Sequence, residues 1–299
     1  MRITAFMNQK GGVGKTTTVV NLGAVLAAEH GRRVLLVDAD PQANLSDSLG
    51  LDPLAEGPSI YDVLLRGTPP EQVLRRAFDL DVMPANLDLA GAEIELAALP
   101  RREERLREAL RPLAERYAYV LVDCPPSLGL LTVCALVAAH EVIVPMQAEY
   151  LALRGLGQLS RTVELVRRSS NPALTLAGIV FCQHNPQTRL AQEVRDEVDG
   201  HFPGLVYETS IRRNVKLAES PSHSKPVPVY DPYCAGTEDY RALAREFLRR
   251  TEGPSDQPEE TPPPRAEVTA EARAFVAAWR NGPGVPLLRG PVAAPELGP

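Results

Sequence analysis

Three observations predict an α/β fold, a mostly parallel twisted sheet with helices on both faces. Short apolar runs alternate with helical patterns along the first 250 residues. Those runs lack polar alternation, as strands covered on both faces do. The first run, Ile3 to Met7, leads through Lys10-Gly11-Gly12-Val13-Gly14-Lys15-Thr16-Thr17 into a helical pattern from Thr18 to His30, giving strand, glycine loop and helix.

The remaining elements follow in order. Arg33 to Asp38 reads as a buried strand ending in an acid, and the polar turn Ala39 to Asn44 follows it. Ser59 to Leu65 and Pro70 to Arg76 read as short helices, and Leu80 to Met83 as a short strand. Ala92 to Leu99 and Arg101 to Arg116 read as helices. The second carries a buried stripe of Leu106, Leu110 and Leu113. Tyr119 to Asp123 is the next strand ending in an acid. It is followed by Cys124-Pro125-Pro126-Ser127, a helix from Leu130 to Ala138 and a strand from Glu141 to Pro145. Beyond it come a helix over Leu151 to Arg168, a strand over Leu174 to Cys182 and a helix over Thr188 to Val198. A short strand over Val206 to Thr209 and a helix over Thr237 to Arg250 complete the body.

Composition changes after residue 250. Ten of the 28 prolines lie between Gly253 and Pro299. The expected organisation is a body over 1–250 and a Pro-rich, disordered tail over 251–299. Within the tail, Glu267 to Arg280 can form one short helix, either mobile or docked on the body or a partner.

Of 299 residues, 44% are hydrophobic, enough for one large core. The net charge of −6 excludes a global basic field, so any nucleic-acid contact must be local. Four dispersed cysteines form no C-x-x-C pair, which argues against a disulfide framework or a structural zinc site. The chain enters a strand at once and has no apolar run long enough to span a bilayer, so a cytoplasmic protein without a leader is expected.

The chemistry is expected at the ends of the strands. Without Cβ atoms, Gly11, Gly12 and Gly14 let the backbone wrap phosphate oxygens closely, with N–H groups pointing inward at a helix N-terminus. Lys15 can reach the outer phosphates, and the Thr16 hydroxyl can ligate magnesium. Asp38 and Asp123 each close an apolar strand and can lie beside this loop, Asp123 holding the magnesium shell and Asp38 supporting it. Asp40, two residues further on, can orient the attacking water or simply form an Asp-Pro turn. Lys10 is a second cation at the near edge of the loop. It is most useful reaching a nucleotide held by a facing subunit, as a finger supplied in trans, or else it stays solvated and tunes affinity.

These residues resemble a known family. Lys10 to Thr17 is similar to the deviant Walker A loop with its signature lysine. Asp38-Ala39-Asp40-Pro41-Gln42-Ala43-Asn44 resembles the first switch of ParA-type partition ATPases, and Asp123-Cys124-Pro125-Pro126-Ser127 their second switch. The likeness continues through Pro145 to Tyr150 and Ile211 to Pro221, covering about residues 1–250, and favours the chromosomal Soj/ParA type over MinD. The resemblance implies a P-loop NTPase-like fold and binding of ATP with Mg2+ by Gly11, Gly12, Val13, Gly14, Lys15, Thr16 and Thr17, with Glu149 near the nucleotide or the dimer contact. It implies Lys10, Lys15 and Asp40 as catalytic residues and Thr16, Asp38 and Asp123 on the metal side. It further implies an ATP-dependent homodimer, non-specific binding to double-stranded DNA on the nucleoid, and stimulation by a ParB-like centromere-binding protein. Adenine selection rests on the same analogy.

Residues 161–250 hold thirteen Arg and Lys against eleven Asp and Glu, a local basic excess in an acidic chain. Arg189 and Arg213 resemble family DNA contacts, and Arg212 is the alternative within its doublet. No recognition helix or aromatic interleaving points to base-specific reading. The competing readings are a membrane-associated regulator of the MinD kind, an iron-cluster ATPase, and a relict non-enzymatic loop.

Overall fold

The computed structural model describes residues 1–149 and 152–253. The expected helix over 267–280, and all but the first three residues of the tail, lie outside them. The first half comprises β1 (Arg2–Phe6), α1 (Lys15–Ala28), β2 (Val34–Asp38), α2 (Asn44–Ser48), α3 (Ile60–Arg66), α4 (Pro70–Val73), β3 (Arg75–Ala77), β4 (Leu80–Met83), α5 (Ala92–Ala97) and α6 (Arg105–Leu110). The second comprises β5 (Tyr119–Asp123), α7 (Leu130–Ala138), β6 (Glu141–Met146), α8 (Ala152–Ser169), β7 (Thr175–Phe181), α9 (Arg189–His201), α10 (Val215–Glu219), α11 (Val227–Tyr230) and α12 (Ala235–Glu252).

These strands form one sheet in the order β3-β4-β2-β5-β1-β6-β7. Every pairing is parallel except β3 with β4. β2, β5 and β6 are buried along their whole length, which is why they read as continuous apolar runs. Alternate residues feed two cores. Phe6, Leu36 and Leu121 pack with α1 and α12, while Ala5, Val37 and Val122 pack with α3, α5, α6, α7 and α8. The expected mostly parallel sheet covered on both faces is therefore the observed one.

Register positions the site. Asp38 on β2 lies directly opposite Asp123 on β5, and Asp123 opposite Phe6 on β1. The two strand-terminal acids and the start of the glycine loop thus meet at one edge, where an open α/β sheet binds ligands.

Three elements depart from the sequence expectation. The single helix over Arg101 to Arg116 is broken into 3-10 turns at Arg102–Glu104 and Arg111–Leu113 flanking α6. Pro112 has no N–H to donate, and its ring opposes the preceding turn. Leu106, Leu110 and Leu113 nonetheless stay buried. The helix expected over Pro70 to Arg76 stops at Val73, because Leu74 turns extended and leads into the edge strand β3, where Arg76 pairs with Asp81 at 3.2 Å. Val206 to Thr209 is not a strand. Only Val206 bridges to Ile179, through bonds from Ile179 N–H to the Leu205 carbonyl and from Tyr207 N–H to the Ile179 carbonyl.

Candidate nucleotide-binding site

The loop between β1 and α1 depends on left-handed backbone at Gly12 (φ +72°) and Gly14 (φ +95°). A Cβ at Gly14 would also stand 3.2 Å from the Cys182 Cβ at the end of β7. Gly14 therefore answers both a torsional and a spatial demand. α1 begins at Lys15, three residues before the apolar pattern announces it, so Lys15 and Thr16 sit in its first turn with Lys15 largely buried. This places backbone N–H groups of the helix start beside the loop.

The outer wall of the loop is held by side chains that sequence reasoning did not single out. The Gly12 carbonyl accepts from Gln147 Nε2 at 3.2 Å and Gln183 Nε2 at 3.0 Å. Asn8 donates to the Pro145 carbonyl at 2.8 Å and accepts from Lys10 N–H at 3.0 Å. Two glutamines just past the ends of β6 and β7 were the available signal, but only the fold brings them to one carbonyl. Behind the loop, Asn21 donates to the Thr17 carbonyl and accepts from Val227 N–H, tying α1 to α11.

Beneath the loop, the Thr16 hydroxyl donates to Asp123 Oδ2 at 2.6 Å. The other oxygen, Asp123 Oδ1, is buried without a partner. Asp38 accepts from the Ser46 N–H at 2.9 Å and the Ser46 hydroxyl at 2.7 Å, both on Oδ2. Burial raises Asp123 well above the ordinary carboxylate range, the facing Asp38 charge raises it further, and the Thr16 bond and Lys15 oppose. Burial likewise pushes Asp38 up to about 6, against the bonds from Ser46. Two carboxylates share a dry position and resist simultaneous ionisation unless a cation joins them.

That chemistry fits a magnesium ion. A hydroxyl and a carboxylate are hard oxygen donors, and the orphaned Asp123 oxygen is an acceptor awaiting charge. Among the described residues no group of three or more His, Cys, Asp or Glu side chains could hold a metal by itself. This suits an ion bound through few protein ligands plus phosphate and water.

Asp40 is buried on the turn after β2. Its Oδ1 accepts from Gln42 N–H at 3.0 Å, and its carbonyl accepts from the left-handed Ala43. The turn-forming role is thus realised, and it holds the carboxylate next to Asp38, whose Oδ1 accepts from Asp40 N–H at 3.3 Å. Lys10 and Glu149 are each half exposed, and Lys10 Nζ lies 2.5 Å from Glu149 Oε2. In this conformation Glu149 engages the lysine of its own chain.

The arginines separate. Arg189, at the first turn of α9, is 91% exposed and pairs with Glu193 at 2.7 Å. Arg213 is exposed and has no ion pair among the described residues. Arg212 instead donates bidentately to Asp239 of α12, with Nη2 at 2.7 Å and Nε at 2.9 Å, and its own N–H bonds Asp239 Oδ2. These bonds anchor the 211–213 segment on α12 while the Arg212 side chain stays about half exposed. The intervening polar partner was invisible in the doublet itself.

Residues 1–176 match a family model described as an AAA domain. The chain is 49% identical over 254 residues to the chromosome partitioning protein ParA of Caulobacter vibrioides, covering 84% of this chain and 95% of that one. It is 47% identical over 247 residues to the sporulation initiation inhibitor protein Soj of Bacillus subtilis, covering 82% and 97%.

The chain belongs to the ParA/Soj family.

Solved structures share its fold. A Mycobacterium smegmatis protein described as cobyrinic acid a,c-diamide synthase, with bound ADP and magnesium, is 40% identical with a TM-score of 0.75, covering 88% of this chain and all of that one. The cell division ATPase MinD of Pyrococcus furiosus, at 24% identity and a TM-score of 0.68, shares the fold. In this ParA/Soj chain no helix among the described residues is long and apolar enough to cross a membrane.

Proposed function

We propose that this ParA/Soj-family chain is a magnesium-dependent ATPase that partitions DNA through a nucleotide-controlled homodimer. The observation that carries the reading is the Thr16–Asp123 contact beneath the glycine loop, beside the register-matched Asp38. Gly11 to Thr17 wrap the phosphates with backbone N–H groups, and Lys15 neutralises the outer oxygens. Thr16 and Asp123 hold magnesium, with Asp38 supporting from behind; the ion supplies charge neutralisation on the phosphate oxygens. Asp40 orients the water for in-line attack. Related proteins whose structures hold ADP or an ATP analogue with magnesium support this ligand choice.

Lys10 leaves Glu149 and reaches the phosphates of a facing protomer, which makes pairing depend on the triphosphate. Glu149 then lies at the nucleotide or dimer contact. The dimer doubles the exposed cations, Arg189 and Arg213 foremost, and binds DNA through its phosphates without reading sequence. A ParB-like protein speeds hydrolysis and releases the DNA, so the protein works on the nucleoid in the cytoplasm. The body of residues 1–250 carries this cycle, and the segment from 251 is an appendage to it.

Binding to a random-sequence duplex, measured by filter retention with ATP, with ADP and without nucleotide, tests the switch and its output together. Retention with ATP alone, lost in Lys15→Ala, is expected. Equal retention in all three states refutes the coupling. ATP-dependent sedimentation with anionic vesicles in place of DNA retention would favour a MinD-like membrane role.

A further inference from the structure

At the end of the sheet away from the nucleotide loop lies a cavity of about 380 Å³ between the start of β2, the residues before β5 and the β3–β4 hairpin. Arg32, Arg33, Arg76 and Arg116 line it, against two acids, Asp79 and Asp81. Asp81 is spent on Arg76, Arg116 and the Tyr117 hydroxyl, at 3.2, 3.1 and 2.5 Å. Arg33 is exposed, with Nη2 on the Glu115 carbonyl. Arg32 Nε is buried without a partner. The cavity therefore retains cationic donors that the described residues do not satisfy.

One carboxylate already sits on its rim. Glu252, the last residue of α12, bonds Arg32 Nη2 with one oxygen and the Tyr119 hydroxyl with the other, both at 2.5 Å. The chain leaves the helix there, at Gly253. The next twelve residues, 253–264, carry Asp256, Glu259 and Glu260 and no Lys or Arg. Eight residues extended reach at most ~28 Å, ample to cover a cavity whose edge Glu252 touches.

We propose that the arginine-lined cavity is a carboxylate site and that its ligand is the chain's own segment 253–260, through Asp256, Glu259 and Glu260. Charge complementarity and a tether anchored on Arg32 support this occupant. Docking there holds the tail on the face opposite the nucleotide, clear of any surface that pairs protomers. It stands independently of the nucleotide cycle.

The test uses the full chain. Amide hydrogen exchange of 74–82 and 112–118 is compared between wild type and the triple variant Asp256→Asn, Glu259→Gln, Glu260→Gln. Each exposed ion pair is modest, and three together are expected to speed exchange of these segments roughly ten-fold, an effect that high salt reproduces in wild type. In a second arm, Arg33→Gln is expected to quicken cleavage after Glu259 and Glu260 by a Glu-specific protease several-fold. Unchanged exchange in the triple variant, or unchanged cleavage in Arg33→Gln, overturns the proposal. If millimolar inorganic phosphate slows exchange equally in wild type and triple variant, the cavity takes a free anion and the tail assignment falls.

Discussion

Replacing Asp38 by Asn is expected to stabilise the metal-free protein at alkaline pH. Asp38 is completely buried opposite Asp123, and burial raises its pKa from 3.8 to about 6. A raised acid means that the folded state holds a proton which the unfolded chain gives up near 4. The stability it contributes is complete below about 4 and lost as pH rises through 6. A shift of about two units corresponds to ~3 kcal/mol. Asn keeps an acceptor for the Ser46 N–H and hydroxyl and carries no charge. Urea denaturation in chelator should therefore show Asp38→Asn losing ~2 kcal/mol less than wild type between pH 4.5 and 8, with buried Asp123 contributing to the loss in both, and exceeding wild type at pH 8. Magnesium with nucleotide should narrow the gap at pH 8, because a cation stabilises the ionised pair in wild type. If the variant is less stable than wild type at pH 8 without metal, the two acids are not in conflict and the cation-seeking character assigned to the site is wrong.

Asp40→Ala should retain ATP and accumulate the dimer, with turnover reduced at least 100-fold as expected for loss of a water-positioning group; light scattering in ATP showing only monomer contradicts that role. Glu149→Gln should free Lys10 from an exposed pair worth at most ~1 kcal/mol. The protein concentration for ATP-dependent pairing, measured by sedimentation in the Asp40→Ala background, should then fall by up to about 25-fold, since two such pairs are broken per dimer. A higher concentration instead assigns Glu149 to the contact between protomers. Arg213→Glu should weaken DNA retention at low salt and flatten its salt dependence while pairing persists. Arg212→Ala should mainly lower the melting temperature, since it leaves the largely buried Asp239 without its guanidinium; equal DNA defects in both variants would refute the division of the doublet.

Much of the fold was legible because its signals are local. β5 and α7 were expected at their observed bounds, Tyr119–Asp123 and Leu130–Ala138. Their apolar periods change abruptly at a Pro-Pro-Ser turn, and no distant residue is needed to see that. The short helices α2, α10 and α11 escaped notice because each is five residues or fewer and is fixed by tertiary contacts. Asn21, for example, receives the Val227 N–H at the start of α11 from across the chain. The expected helix over Arg101 to Arg116 rested on the leucine stripe and took no account of Pro112, a helix breaker. The fold keeps the stripe and breaks the helix.

The amino-acid order alone determined the glycine loop, the two acid-ended strands and the family to which they belong, because torsional freedom, hydroxyl and carboxylate chemistry, and apolar period are properties of short segments. Tertiary structure decided what those groups do to one another. Sheet register set Asp38 against Asp123, burial raised both acids, and the close of β6 and β7 put Gln147 and Gln183 on a single Gly12 carbonyl. It also turned Arg212 toward Asp239 and left Arg213 in solvent. Such outcomes depend on distances between segments far apart in the chain, and electrostatic energies change with distance and dielectric more steeply than any local pattern records.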